Sequence, residues 1–151
     1  MKKTILFLAC ALIGFSASAQ KVKEADVPAN IKATFAKMHP NTTVSKWEKE
    51  GNNWEAEYMD NKVENSVEFG PNGQTIETEM EIKVADLPKG VISYCSTNMA
   101  GKKIAEASKI TAADGKVTYE AEVSEVDYIF DANGTFIKKE VENDNDKDDK
   151  K

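Results

Sequence analysis

Arginine is absent from this 151-residue chain, and all 20 of its basic residues are lysine. Against them stand 26 acids. An acidic chain without arginine is a poor candidate for nucleic acid, because phosphate contacts need cations, and a poor candidate for anionic lipid surfaces. Histidine occurs once, at His39, next to Pro40. A lone histidine in a turn offers neither a Ser-His-Asp nor a Cys-His arrangement, so the chain reads as a non-enzyme. Cysteine occurs twice, at Cys10 and Cys95. Cys10 lies in an N-terminal apolar run, and Cys95 alone cannot form an internal disulfide, so stability must come from packing. Cys95 falls on an apolar helical stripe and reads as a buried, inert thiol.

Only one long apolar run exists. Thr4 to Phe15 follows Lys2 and Lys3 and precedes Ala17-Ser18-Ala19. A basic start, a short apolar stretch and a small-x-small site describe a secretory signal peptide over residues 1–19, cleaved between Ala19 and Gln20. The run is too short for a membrane span, so no insertion is expected after cleavage. Lipidation at Cys10 is disfavoured, because Phe7 and Leu8 fit a lipoprotein box poorly. The mature chain would run from Gln20 to Lys151 and be periplasmic or secreted. Its 18 lysines against 26 acids give a net charge of −8.

Metal-ligand spacing is weak. Asp144, Asp146 and Asp148 alternate, but Asp149 stands where a calcium loop needs glycine, and the chain ends before a twelfth-position glutamate. No His/Cys cluster exists. The sequence assigns no metal site and no cofactor, and residues 143–151 read as an acidic, solvated and disordered tail.

What the chain does contain is a repetition. Val67 to Gly73 reads VEFGPNG and Tyr128 to Gly134 reads YIFDANG, 61 residues later. Val27-Pro28 matches Leu87-Pro88 at an offset of 60, as Ile31 matches Val91 and Phe35 matches Cys95. Trp54-Glu55-Ala56-Glu57-Tyr58 matches Tyr119-Glu120-Ala121-Glu122-Val123 at an offset of 65. Offsets that change only in connections mark a duplicated structural unit. The spacings predict two units, residues 20–82 and 83–142.

Each unit starts with a helix. Val27, Ile31, Phe35 and Met38 lie on one helical face, as do Leu87, Val91 and Cys95. Pro28 and Pro88 suit the first turn, where a missing N–H is no loss. Four antiparallel strands follow. Trp54, Ala56 and Tyr58 alternate with Glu55 and Glu57; Val67 and Phe69 alternate with Ser66 and Glu68; Ile76, Met80 and Ile82 alternate with Glu77, Glu79 and Glu81. An irregular strand over about residues 43–50 precedes them. Asn72-Gly73 and Asn133-Gly134 are hairpin turns. The fold class is therefore α+β, two tandem repeats of a helix plus a four-stranded antiparallel sheet, packed side by side over a shared core because ~60 residues bury too little alone.

The order Val27-Pro28, Pro40, Lys46-Trp47-Glu48, Trp54-Glu55-Ala56, Phe69-x-x-x-Gly73 and Glu77-Thr78-Glu79, repeated with Leu87-Pro88 and Tyr119-Glu120-Ala121, resembles the PepSY-like, beta-lactamase-inhibitor-like proteins secreted by Bacteroidetes. The resemblance covers nearly the whole mature chain. It implies a BLIP-like fold, with helices on one face of a curved sheet, and a role in binding or restraining a peptidase or other envelope enzyme across that sheet. Thr75 departs from the pattern where an aromatic is common, whereas Phe136 keeps it.

Period-two alternation places Glu55, Glu57, Glu77, Glu79, Glu120 and Glu122 on the face opposite the helices, with Lys138 among them. This face is expected to be wet. Phe136 falls on the same outward register, and Trp47 lies on the irregular first strand. Together these nine residues form the expected docking surface for a protein or peptide, with charge favouring a basic one. Two other readings stay open: the same carboxylates binding cations or small cationic ligands, and a solvated face conferring solubility.

Overall fold

The computed structural model describes residues 20–141. The expected signal peptide, the acidic tail and the Asp144–Asp148 run lie outside the described residues. A short strand β1 (Gln20–Val22) and a 3-10 turn (Glu24–Asp26) lead into helix α1 (Ala29–Met38). Strands β2 (Val44–Glu50), β3 (Asn53–Asp60), β4 (Val63–Phe69) and β5 (Thr75–Glu81) follow. A second 3-10 turn (Val84–Asp86), helix α2 (Lys89–Asn98) and strands β6 (Glu106–Ala112), β7 (Val117–Glu122), β8 (Val126–Asp131) and β9 (Phe136–Val141) complete the order. All nine strands form one antiparallel sheet in chain order. The fold is α+β.

Alternation decides which side chains meet the helices. Trp54, Ala56, Tyr58, Val67 and Phe69 pack with Val27, Ile31 and Phe35 of the first helical segment. Ala107, Ala121, Val123 and Phe130 pack with Leu87, Val91, Cys95 and Met99 of the second. Fully burying one such side chain is worth ~1.5–3 kcal/mol. The register carries the same side-chain parity from β3 through to β8, so both helices cover one face. The expectation of a shared core is corrected here. The two apolar clusters are separate, and along the seam the helix-side positions of β5 and β6 are Thr78, Met80, Lys109 and Thr111, with Met80 exposed. What the halves share is the sheet, through the pairing of β5 with β6.

The repeated Asn-Gly turns have a structural reason. Gly73 and Gly134 both adopt positive φ, +80° and +83°. Each turn seats against the start of its helix. A Cβ on Gly73 would meet Asn30 Nδ2 at 2.9 Å, and one on Gly134 would meet the Val91 nitrogen at 2.8 Å. Asn30 and Gly90 hold the second position of their helices, so the turn after the third strand of each half docks on the helix that opens it.

Candidate functional site

The face away from the helices carries the acids. Register aligns Glu48 with Glu55, Glu55 with Glu68, and Glu68 with Glu77, one row across four strands. In the other half Glu106, Glu122, Asp127 and Glu140 form a second row. Lys46, Glu57, Ser66 and Glu79 lie in a row beside the first. Like charges directly opposite one another destabilise a sheet by up to ~1 kcal/mol per pair.

This face is not wet, contrary to expectation. Glu55 is 2 % exposed, Glu79 3 % and Glu57 4 %; Glu48, Glu68, Glu120 and Asp127 are also buried. The cause is curvature. Glu140 on β9 acts electrostatically on Glu50 of β2, and both Glu140 and Lys138 act on Glu77 of β5. In a flat sheet β2 and β9 would stand roughly 34 Å apart, at ~4.8 Å per strand, far beyond a field screened over about 10 Å. The sheet curls until its acid-bearing face closes on itself.

Burial then dominates the carboxyl groups. Desolvation pushes Glu55 well above the usual carboxylate range, opposed by the Ser66 hydroxyl. No hydrogen bond of good geometry reaches either Glu55 oxygen or either Glu79 oxygen. Glu79 is likewise driven well up, first by burial and then by Glu120, with the Ser108 hydroxyl opposing. Glu50 is pushed up to about 8 by burial, Glu68, Glu48, Glu77 and Glu140. Glu77 reaches about 7 through burial and Glu68, with Lys138 opposing. Asn53 Nδ2 donates to Glu68 Oε1 at 2.8 Å.

Two lysines enter this face. Lys46 Nζ lies 2.9 Å from both Glu48 Oε2 and Glu57 Oε1. Burial alone would lower the Lys46 ammonium, but hydrogen bonds to Glu48 and Glu57 outweigh it and hold it above its ordinary value. Lys138 Nζ pairs with Glu140 Oε1 at 2.7 Å. Glu48, Glu55 and Glu57 each offer an oxygen within 4.8 Å of the other two.

The expected docking residues therefore divide. Glu55, Glu57, Glu79 and Glu120 are buried on the acid face, whereas Glu77, Glu122 and Lys138 are half-buried there. Trp47 and Phe136 do not belong to that face. Trp47 pairs with Ala56, lies edge-on to Phe35 at 6.0 Å and is core. Phe136 stacks on Tyr94 of α2 at 4.9 Å. A bulge explains the misplacement. Phe130 pairs with Phe136 while Ile129 pairs with Lys138, so Ile137 is the extra residue and the parity of Phe136 flips. His39 is not a free surface residue. It packs 5.1 Å from Phe35 and 4.5 Å from Tyr58, and burial lowers its imidazole despite Asp60. Sequence reasoning missed Lys46, Glu48 and Glu50 as site residues. Their alternation with Trp47 and Lys49 was the available signal, obscured by the register shift between Val44 and Lys46.

The family model described as "Putative beta-lactamase-inhibitor-like, PepSY-like" matches residues 15–64 and again 52–138. The chain belongs to this family. Among solved structures, this PepSY-like chain is similar to a BLIP-like protein from Bacteroides fragilis NCTC 9343, with 21% identity, a TM-score of 0.61, and 78% of this chain and 89% of that one covered. It is similar also to a DUF2874 family protein from Bacteroides uniformis ATCC 8492, with 17% identity, a TM-score of 0.66, and 76% and 88% covered. A third similar structure, described as a putative periplasmic protein of Bacteroides eggerthii DSM 20697, has 13% identity, a TM-score of 0.66, and 75% and 87% covered. At these identities the likeness concerns the fold. No curated protein matches the sequence significantly. Among the described residues, no helix is long and apolar enough to cross a membrane.

Proposed function

We propose that this PepSY-like protein is an exported, periplasmic and non-enzymatic binding module that takes a basic side chain of a protein or peptide partner at the mouth of its curled acidic sheet. The observation that carries this reading is the convergence of Glu50, Glu77 and Glu140, from β2, β5 and β9, at half-buried positions where Glu77 and Glu140 disfavour the charged form of Glu50, and Glu140 that of Glu77. A lysine or arginine placed among them would relieve repulsion that the fold otherwise sustains, and a charge-assisted contact in a desolvated site is strong. This narrows the docking surface from the whole face to its rim, because Glu55 and Glu79 are too deeply buried to meet a partner's side chain.

The two halves are read as tandem copies of one unit, each contributing acids to the mouth. The beta-lactamase-inhibitor-like description of the family and the BLIP-like protein of Bacteroides fragilis favour a partner that is an envelope enzyme held in check. Fold likeness alone does not carry beta-lactamase itself across. The packing of His39 between Phe35 and Tyr58 favours a structural over a catalytic histidine.

Capture from envelope extract at low and high salt, with partners identified by mass spectrometry, tests the reading. The double substitution Glu50→Gln and Glu77→Gln should abolish salt-sensitive capture while leaving the fold intact by circular dichroism. Equal capture of the same partners by the folded double variant would refute it.

A further inference from the structure

One group of side chains is better built for a small ion than for a partner's side chain. Glu48, Glu55 and Glu57 come from two adjacent strands and meet within 4.8 Å, oxygen to oxygen. All three are buried. Oxygens gathered this closely can share one ion, and calcium accepts protein carboxylates in flexible geometry, whereas magnesium gives up its waters reluctantly and seldom sits in an all-protein cage. Charge points the same way. Three carboxylates and the Lys46 ammonium, 2.9 Å from Glu48 and Glu57, leave two negative charges when all are ionised.

Acidic clusters are common, so clustering alone would not suffice. A second observation comes from Glu55. It is 98 % removed from solvent, it aims an oxygen into the cluster, and neither of its oxygens receives a hydrogen bond of good geometry. Glu57 and Glu48 are served by Lys46, whereas Glu55 is not. Glu79 repeats the pattern: it is one row position beyond Ser66, buried, electrostatically linked to Glu55, and without a hydrogen bond of good geometry at either oxygen. A buried carboxylate without a partner is costly unless it is protonated or coordinates a metal.

We propose that Glu48, Glu55 and Glu57 form a site for one hard divalent cation of calcium size, with Lys46 as the built-in competitor for Glu48 and Glu57. When the cation binds, it is held by carboxylate oxygens, and Lys46 gives up its hold on the cluster. The affinity expected is that of an extracellular module, a Kd of about 10⁻⁴–10⁻³ M, because an internal lysine must be displaced. This goes beyond the partner reading. The cation would lie inside the curl, between β2 and β3, and not at the mouth.

The test uses the purified protein alone, dialysed against chelator, so its outcome is independent of any partner. Thermal unfolding followed by circular dichroism, at neutral pH and constant ionic strength, is compared with and without millimolar calcium chloride. The expected result is a calcium-dependent rise in Tm of a few degrees, a smaller rise with magnesium, and none with spermidine. Glu55→Gln should fold, since the amide keeps the shape of a carboxyl group whose oxygens receive no hydrogen bond of good geometry, and should lose most of the calcium response. Lys46→Gln should melt lower without calcium and show a larger calcium-dependent rise than the parent protein. No calcium response in the parent protein would overturn the proposal. So would an unchanged response in Glu55→Gln, an equal response to spermidine, or a response in Lys46→Gln no larger than the parent's.

Discussion

The buried acids make an unusual prediction about pH. Most proteins lose stability on acidification because their carboxylates are paired or hydrogen-bonded when folded. Here the sign is reversed. Glu50 and Glu77 rise in the folded state from an ordinary value of 4.5 to about 8 and about 7. Between 4.5 and those values the folded chain holds more protons than the unfolded chain, so stability falls as pH rises through that window. At 1.36 kcal/mol per unit, and halving for the water that still reaches these half-buried groups, Glu50 contributes a loss of about 2 kcal/mol and Glu77 about 1–2 kcal/mol. Glu55 and Glu79 act in the same direction. His39 offsets them in part, because burial lowers its imidazole below 6.5 and the folded chain then holds fewer protons there, so stability gains as pH rises through that range. Asp131 does not. Hydrogen bonds led by the Thr135 N–H hold its carboxyl below 3.8, outside the window. The expected result is a fall of about 3 kcal/mol or more between pH 5 and pH 8, enough to lower Tm by roughly 10 °C. Urea titrations at fixed ionic strength across that range measure it. The double substitution Glu50→Gln and Glu77→Gln should flatten the profile and raise stability at pH 8. A profile that is flat or rises from pH 5 to pH 8 would refute the claim that curvature keeps these carboxyl groups dry.

Three further outcomes follow from packing. Gly90→Ala would ordinarily help a helix by up to ~1 kcal/mol; here its Cβ would sit 2.8 Å from the Gly134 carbonyl oxygen and 2.9 Å from that of Asn133, so a net loss of about 1–2 kcal/mol is expected in urea titration. Phe136→Ala should cost about 2–4 kcal/mol by the same assay, because the ring stacks on Tyr94 and meets Phe130 edge-on at 5.9 Å; a loss below ~0.5 kcal/mol would restore it to the surface. Cys95 is buried and its thiol is pushed upward by that burial, so thiol reagents should label it only after denaturant is added.

Much of the fold was legible because it rests on local periodicity. Helical stripes at Val27, Ile31 and Phe35, and at Leu87, Val91 and Cys95, became the two buried helix faces. The alternation in Trp54 to Tyr58 became β3, and the Asn-Gly pairs became turns. The errors lie where register is not local. β1 has three residues and one apolar side chain, and it forms only because β2 offers an edge to Gln20–Val22. The bulges at Glu68/Phe69 and Ile129/Phe130 each add one residue, which left Ile76, expected on the buried alternation, half-buried, made Ile137 an exposed extra residue and sent Phe136 to the helix side. A slip of one residue exchanges the faces of everything beyond it.

The site was half legible for a related reason. Alternation correctly grouped Glu55, Glu57, Glu77, Glu79, Glu120 and Glu122 on one face. It could not tell that this face is dry, because alternation reports which side chains share a side and says nothing of how far a sheet bends. Glutamates ordinarily mark water. Nine strands that curl until Glu140 of β9 acts on Glu50 of β2 override that rule, since the acid face then lies opposite another part of the same sheet. The physical consequence is that negative charge here is stored rather than displayed. Stored charge is neutralised by protons and, at Glu48 and Glu57, by Lys46; a metal ion among Glu48, Glu55 and Glu57, or a partner's cation at the mouth, would each have to displace protons from the oxygens it uses. Whatever binds must therefore do so more weakly as pH falls toward 5, where protons already occupy the oxygens that a cation needs. Solubility alone would impose no such competition, so a pH-dependent affinity separates a working acid face from an inert one.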